Sequence, residues 1–238
     1  MLVHGGLTDG LLAWFAQDQL AERWTLRVID RAGYGMSSHL SASEDIELDA
    51  RLIAAGLHDP VHLVGHSSGA IVAMLAAAQV PRQIRSLTVI EPPSYRFLED
   101  PEVISLASAG DALWDKSGLS DDEWLLEFFD VYGGEPPSQE VLEILEPHVQ
   151  TFRRFVCRPW EIELPVHEIR AAGFPCFVIS GGHDSAVERL NDRIAEAIGA
   201  RRAVVEGAGH EAQTTGPPFN QVLGEFLSAV ERSRLHRN

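Results

Sequence analysis

The sequence predicts an α/β fold: a doubly wound, mostly parallel sheet of about six strands, with helices on both faces and one helical insertion. Three features of the 238 residues support this prediction. Short apolar runs of strand length recur along the chain, and amphipathic or apolar helical patterns separate them. One long stretch, by contrast, contains no run typical of a strand.

The strand prediction depends on six runs rich in β-branched residues. Each run is continuously apolar, as expected when helices cover both faces of a sheet. The runs are residues 1–3, 26–30, 61–65, 87–91, 176–180 and 203–207. The first of them stands at the very start of the sequence.

Helical spacing of apolar residues predicts helices between these runs. One covers residues 46–57, and Ser41 and Glu44 before it have the spacing of a capping box. Residues 70–78 are apolar on all sides, which indicates a helix buried against the sheet. A third stripe follows Pro217-Pro218.

The stretch without strands divides the chain into two predicted units. Residues 1–92 and 173–238 would form the α/β core, and residues 93–172 would form a helical cap or lid. Within the cap, apolar spacing predicts a helix around Trp124, capped by Ser120 and Glu123, and another around Leu142.

Composition excludes several classes of partner. The chain has 35 acidic and 19 basic residues, a formal net charge of −16, and its basic residues are scattered. Nucleic-acid binding requires clustered positive charge, so none is expected. No apolar run is long enough to span a bilayer, and the first residues lack a signal-peptide pattern, which favours the cytoplasm. The oligomeric state is left open.

Residues Gly65 to Gly69 form the pattern G-x-S-x-G between a predicted strand and a predicted helix. A sharp strand-to-helix turn holds its central residue, Ser67, above the carboxyl end of the sheet, where it would act as a nucleophile. Ser68 begins the helix, so its backbone N–H would be one donor of an oxyanion hole. A helix N-cap serine in a tight turn is the simpler alternative, but it does not need glycine on both sides.

A serine nucleophile needs a base and an orienting acid. His210 follows the last predicted strand in a glycine-rich loop, and it is the candidate base. Asp184 follows the preceding strand in Gly-Gly-His-Asp and is the favoured acid, because its strand is nearer to that of His210 in chain order. Glu91, which ends the strand 87–91 before two prolines, is the alternative acid.

The loop after the first strand contains Gly5 and Gly6, whose backbone N–H groups could face an anion. We assign the second oxyanion donor to Gly6, with Leu7 as the alternative. The segment 30–38, Asp-Arg-Ala-Gly-Tyr-Gly-Met-Ser-Ser, is interpreted as a structural turn with glycines at positive φ.

Together these motifs resemble the α/β-hydrolase family. The resemblance rests on HGG at 4–6, DRAGYGMSS at 30–38, GHSSG at 65–69, GGHD at 181–184 and GAGH at 207–210. It implies that Ser67 is the nucleophile, His210 the base and then the acid, and Asp184 the orienting acid, although some relatives place the acid where Glu91 stands. It also implies that residues 93–172 form a cap domain over the site. Members usually have two strands ahead of the HGG motif, whereas the given sequence starts at the strand itself. Either the native start lies upstream, or the strand 26–30 forms the sheet edge and is covered in another way.

The expected function is hydrolysis of a carboxylic ester with a small to medium apolar acyl group, through an acyl-enzyme and without a metal or cofactor. Aromatic residues of the cap could line the substrate pocket: Phe128, Phe129, Tyr132, Phe152, Phe155 and Trp160. Two alternatives remain open. The same triad cleaves carbon–carbon bonds, thioesters or lactones in other relatives, and a protein of another class could keep the fold only to bind a ligand.

Overall fold

Among the residues that the structure describes, one parallel sheet of six strands forms the centre. The computed structural model describes residues 1–132 and 136–236. The strands are β1 (Leu2–Val3), β2 (Val28–Ile29), β3 (Val61–His66), β4 (Ile84–Ile90), β5 (Cys176–Ser180) and β6 (Arg201–Val204). Their order is β2-β1-β3-β4-β5-β6, and every neighbouring pair is parallel. The predicted α/β fold class is confirmed.

Helices connect these strands and cover the sheet. The α-helices are α1 (Gly10–Ala13), α2 (Asp18–Ala21), α3 (Ile46–Gly56), α4 (Ser68–Gln79), α5 (Pro101–Trp114), α6 (Asp121–Val131), α7 (Gln139–Phe152), α8 (Val166–Ala172), α9 (Ser185–Ile198) and α10 (Pro217–Leu235). Short 3₁₀ turns occur at Gly35–Leu40, Pro81–Gln83, Tyr95–Phe97, Pro159–Glu161 and Ala212–Thr215.

Two apolar layers hold the helices against the sheet. Helices α3, α4, α8 and α9 pack on one face, where α4 contributes buried residues on all sides, as its uniformly apolar sequence predicts. Helices α1, α2 and α10 pack on the other face. Because both faces are covered, the strands β3, β4 and β5 can be apolar along most of their length.

Helices α5, α6 and α7 follow one another between β4 and β5, within the segment predicted to form a cap. Ser120 and Glu123 form the predicted capping box of α6. Buried apolar residues from each of these helices, among them Leu113, Trp124 and Val149, share a cluster with Leu7, from the loop after β1. The inserted helices therefore lie against the loop that carries the predicted oxyanion donor, whereas the division at residues 93 and 172 stays a prediction.

Two local predictions differ from the structure. Helix α3 is capped by Asp45, whose side chain accepts the N–H of Leu48, and not by the Ser41–Glu44 pair. Glu44 is instead fully buried and pairs with Arg31. In the run 26–30 only Val28 and Ile29 pair with β1, at the edge of the sheet where the sequence places this strand.

The described helices lack the features of membrane-spanning segments. Among residues 1–132 and 136–236, no helix combines the length and the mean hydropathy that a transmembrane segment requires.

The turn between β3 and α4 is packed backbone against backbone. A Cβ atom added at Gly65 would lie 2.3 Å from the carbonyl oxygen of Gly69, and one added at Gly69 would lie 2.1 Å from that of His4. Neither position has room for a side chain, so the two glycines let the end of β1, the turn and the start of α4 meet.

We expect Gly69→Ala to lower the free energy of unfolding by at least about 2 kcal/mol, because the backbone of β1 would have to move. Gly56→Ala is the matched control. A Cβ at Gly56, the last residue of α3, has no neighbour within 4 Å, so the change should be neutral or stabilising by up to about 1 kcal/mol. Urea denaturation of both variants measures the difference, and equal midpoints would contradict the close-packing argument.

Candidate active site

Ser67 occupies the point where β3 turns into α4. Its backbone has φ 54° and ψ −130°, a strained conformation for a residue with a side chain. The N–H of Ser67 donates to the carbonyl of Ile90, the last residue of β4, at 2.8 Å. This bond places the serine beside the end of the neighbouring strand, as the strand–turn–helix pattern predicts.

His210 lies in the loop after β6, close to this turn. The Nε2–H of His66 donates to the carbonyl oxygen of His210 at 3.0 Å, and the two rings are 4.8 Å apart. His66 directly precedes Ser67 in the chain, so this contact ties the loop of the predicted base to the residue before the predicted nucleophile. His66 thus anchors the loop, a role that the sequence did not indicate.

The carboxylate that contacts His210 belongs to Glu91. Nδ1 of His210 donates to Oε2 of Glu91 at 2.7 Å, which leaves Nε2 as the nitrogen with a lone pair. The other carboxylate oxygen accepts the N–H of Gly181 at 2.8 Å and lies 3.4 Å from Nδ1 of His183. Glu91 is 2% exposed, and its φ of 45° is a second strained position.

Asp184, the acid favoured by chain order, is engaged elsewhere. Its Oδ1 accepts the N–H groups of Ala186 and Val187 at 2.7 and 3.1 Å, so it is the N-cap of α9. The favoured pairing is therefore corrected: the alternative, Glu91, is the carboxylate at His210. The physical reason is local, because the start of α9 presents free N–H donors to Asp184.

The contacts of Glu91 set the ionisation of the site. Burial alone would raise the pKa of Glu91, but the hydrogen bonds from His183 and His210 lower this pKa to about 2. Desolvation lowers the pKa of His210, and the hydrogen bond and charge of Glu91 outweigh it, so the pKa lies above its ordinary value. Glu91 is thus ionised at neutral pH and favours the protonated form of His210.

The predicted oxyanion donors flank Ser67. A Cβ added at Gly5 would lie 2.9 Å from Cβ of Ser67, so the loop after β1 runs directly against the serine. Leu7 in the same loop has φ 55°. Ser68 is the first residue of α4, and its N–H therefore has no acceptor within the helix. The structure places Gly5 against the serine and Ser68 directly after it in the chain, and the role of Gly6, Leu7 or Ser68 as donors stays a prediction.

The six aromatic residues predicted to line a pocket belong to one network of ring contacts, connected through Trp114 and Phe128. Phe152 is buried, and its ring covers Gly6 so closely that a Cβ there would lie 2.1 Å from the ring. Phe128, Phe129 and Phe155 belong to one network of aromatic contacts with Phe152. Tyr132 and Trp160 stack on Tyr95. Of the six, Phe152 is the one placed against the oxyanion loop.

A cleft of about 530 Å³ lies apart from the predicted site, among the inserted helices. Its lining includes Trp114, Trp124 and Arg153, but neither Ser67 nor His210 nor any of the six predicted aromatic residues. This cleft is therefore not the pocket that the sequence predicts.

The sequence did not reveal a buried ionic network beside the serine turn. Arg31, in the segment interpreted as a structural turn, pairs with Glu44 at 3.0 Å and with Asp49 at 3.3 Å. It also donates to the carbonyl of Gly5 and to Oγ of Ser68. The only sequence signal was an arginine directly after a strand at the carboxyl edge of the sheet.

Three side chains near the turn offer possible ligand atoms for a cation. His66, His210 and Glu211 each offer one ligand atom, and these atoms lie within 4.8 Å of one another. In a tetrahedral zinc site the ligand atoms lie about 3.4 Å from each other. Any two of these three ligand atoms that lie further apart would have to move closer together to bind zinc. Nδ1 of His210 is already bound to Glu91, and no further ligand joins the group within the described residues.

Several known proteins are similar to this chain in sequence. A pimeloyl-[acyl-carrier protein] methyl ester esterase from Methylococcus capsulatus is 34% identical over 99 residues, which cover 42% of this chain and 36% of that protein. The match thus spans little more than a third of that relative. A putative carbamate hydrolase from Azorhizobium caulinodans is 27% identical over 98% of this chain and 92% of its own.

Similar architecture extends to solved structures. A hydrolase from Oleispira antarctica superposes with a TM-score of 0.70 at 21% identity, covering 95% of this chain and 89% of that one. This likeness supports the fold alone. The model of the alpha/beta hydrolase family matches residues 1–220, and the chain accordingly belongs to that family.

Proposed function

We propose that this protein is a serine hydrolase that cleaves a carboxylic ester with a small to medium apolar acyl group. The observation that carries the proposal is the buried, ionised Glu91 hydrogen-bonded to His210, whose loop is held against the residue preceding Ser67. This arrangement leaves Nε2 of His210 free to accept a proton at the carboxyl edge of the sheet, where Ser67 stands.

In the acylation step, Nε2 of His210 takes the hydroxyl proton of Ser67, and Oγ forms a bond to the ester carbonyl carbon. The carbonyl electron pair moves to oxygen, which the N–H groups of Gly6 and Ser68 stabilise. As the carbon–oxygen bond of the leaving group breaks, His210 returns the proton to the alcohol. Glu91 stabilises the transient imidazolium through Nδ1.

Deacylation repeats these proton transfers with water. His210 removes a proton from water, the resulting hydroxide attacks the acyl carbon, and a second oxyanion forms in the same place. Its collapse breaks the bond to Oγ of Ser67, which regains the proton from His210. The products are a carboxylic acid and an alcohol, and serine is restored.

The apolar acyl preference rests on the surroundings of the oxyanion loop. The ring of Phe152 covers Gly6, and Leu7 belongs to the same apolar cluster. A relative named as a methyl ester esterase supports ester chemistry, and one named as a putative carbamate hydrolase supports acyl transfer more broadly. We therefore propose that the substrate is a small-molecule ester whose acyl group carries no charge.

We expect Ser67→Ala to lower turnover of p-nitrophenyl esters by at least about a thousandfold, because the acyl-enzyme can no longer form. A series of esters with acyl chains from acetyl to octanoyl, assayed with wild type and variant, gives both the effect and the preferred chain length. A fluorophosphonate probe should label the wild type alone. If the folded wild type neither reacts with the probe nor hydrolyses any ester, the proposed function is wrong.

The identity of the acid is tested by a matched pair of isosteric changes. Glu91→Gln removes the charge that orients and stabilises His210, so kcat/KM should fall by about a hundredfold or more. Asp184→Asn should keep activity within about threefold and barely change stability, because asparagine caps a helix as well as aspartate does. The reverse ranking of the two kcat/KM values would return the role to Asp184.

The pH dependence follows from the same contact. Catalysis requires neutral Nε2, so kcat/KM should decline as the pH falls through the pKa of His210, which lies above its ordinary value of 6.5. In Glu91→Gln the hydrogen bond to a carboxylate and the charge of Glu91 are lost, while desolvation and the smaller attraction of Glu211 remain, so the acid limb should move to lower pH. A pH profile of the residual activity measures this shift. An unchanged limb would mean that Glu91 does not act on His210.

A further inference from the structure

Arg31 is a buried cation at the centre of the loops around Ser67. Its side chain is inaccessible to solvent. The guanidinium donates to Oε1 of Glu44 through both terminal nitrogens, at 3.1 and 3.0 Å, and to Oδ2 of Asp49 at 3.3 Å. Glu44, which accepts from both terminal nitrogens, thus fixes the orientation of the guanidinium, and Asp49 adds one longer contact.

The nitrogen Nη2 of Arg31 also fixes the peptide between Gly5 and Gly6. It donates to the carbonyl oxygen of Gly5 at 2.9 Å. His4 supplies a second donor: its Nε2 accepts the N–H of Arg31 at 3.0 Å, so its Nδ1 carries the hydrogen that reaches the same carbonyl at 2.7 Å. A carbonyl that receives two hydrogen bonds resists rotation of its peptide plane.

The peptide geometry converts this restraint into the direction of a donor. No peptide bond among the described residues is cis, and in a trans peptide the N–H points opposite to the C=O. Holding the oxygen of Gly5 toward Arg31 therefore aims the N–H of Gly6 away from Arg31. That N–H is the second oxyanion donor of the proposed mechanism.

The first donor is tied to the same guanidinium. Nη2 of Arg31 donates to Oγ of Ser68 at 3.2 Å, and Ser68 is almost completely buried at the start of α4. The side chain of Ser68 thus links the first turn of α4 to Arg31, and its backbone N–H is the other oxyanion donor.

We propose that Arg31 is a positioning residue that aligns both oxyanion donors, Gly6 and Ser68, for transition-state stabilisation. This inference rests on the proposed function, since it assigns a role within the same reaction. Arg31 never touches the substrate. It acts through the carbonyl of Gly5 and the hydroxyl of Ser68, and its planar fork serves these acceptors and Glu44 together.

Arg31→Lys is the informative variant, because it keeps the positive charge between Glu44 and Asp49. A single ammonium on a flexible stem cannot reproduce the planar fork that reaches the carboxylates, the Gly5 carbonyl and Ser68 at once. We expect kcat for the best p-nitrophenyl ester to fall about 100-fold, while KM changes less than about threefold. Affinity for an alkylboronic acid, which mimics the tetrahedral oxyanion, should fall in parallel with kcat.

Asp49→Asn is the matched control. Asp49 contacts the same guanidinium and the N–H of Ala32, but neither oxyanion donor. This variant should lose stability and keep kcat within about threefold of wild type. Amide hydrogen exchange measured by NMR adds a readout that needs no catalysis: exchange at Gly6 and Ser68 should accelerate in Arg31→Lys and not in Asp49→Asn.

The outcomes separate the two proposals. Suppose that the wild type is active and that Arg31→Lys and Asp49→Asn have the same kcat, boronic-acid affinity and exchange rates. The positioning role of Arg31 is then overturned, and the hydrolase function stands. If the wild type hydrolyses no ester and resists the fluorophosphonate probe, the proposed function fails, and the role of Arg31 fails with it. Should Arg31→Lys not fold, Ser68→Ala, which removes only one of the links, must still lower kcat by about three- to tenfold, or the proposal is wrong.

Discussion

The close approach of backbone to backbone at the carboxyl edge of the sheet is the constraint on which the site depends. Gly65 and Gly69 allow the end of β1 to touch the start of α4, and a Cβ at Gly181 would lie 1.8 Å from the carbonyl of Gly209. The loops after β1, β3, β5 and β6 are thereby brought together in pairs. Side chains then need to bridge only one hydrogen-bond length to connect them.

Two buried ionic groups lie on opposite sides of Ser67: Glu91 with its histidines, and Arg31 with its carboxylates. The pKa values of the carboxyl groups of Glu91 and Asp49 shift in opposite directions. On one side Glu91 is ionised, and its pKa is lowered to about 2 by hydrogen bonds from histidines that outweigh its burial. On the other side burial raises the pKa of Asp49 to about 6, against the attraction of Arg31. Burial and then the charge of Arg31 lower the pKa of His4, which stays neutral between the two groups. The negative charge that favours a protonated His210 comes chiefly from Glu91, with a smaller contribution from Glu211.

The sequence predicted the elements whose signals are local. All six strands, the turn at Ser67, the position of His210 and the capping box of α6 follow from patterns within about ten residues. The sequence did not predict the partners of polar side chains that bind residues far away in the chain. Glu44 has the spacing of a capping residue, yet its carboxylate pairs with Arg31. In the segment 30–38, Gly33 and Gly35 do have positive φ, as predicted, but the ionic contacts of Arg31 depend on residues far away in the sequence.

The choice between Glu91 and Asp184 has the same origin, and it follows from competition for donors. Asp184 precedes a helix, so two free N–H groups of its own chain, those of Ala186 and Val187, are within reach. Glu91 precedes Pro92 and Pro93, which have no N–H to offer. Its carboxylate, buried at the end of β4, can be satisfied only by groups from other strands, and it accepts from Gly181 and His210. A carboxylate that ends a buried strand ahead of prolines has no local donor, and it is therefore free to serve a distant histidine.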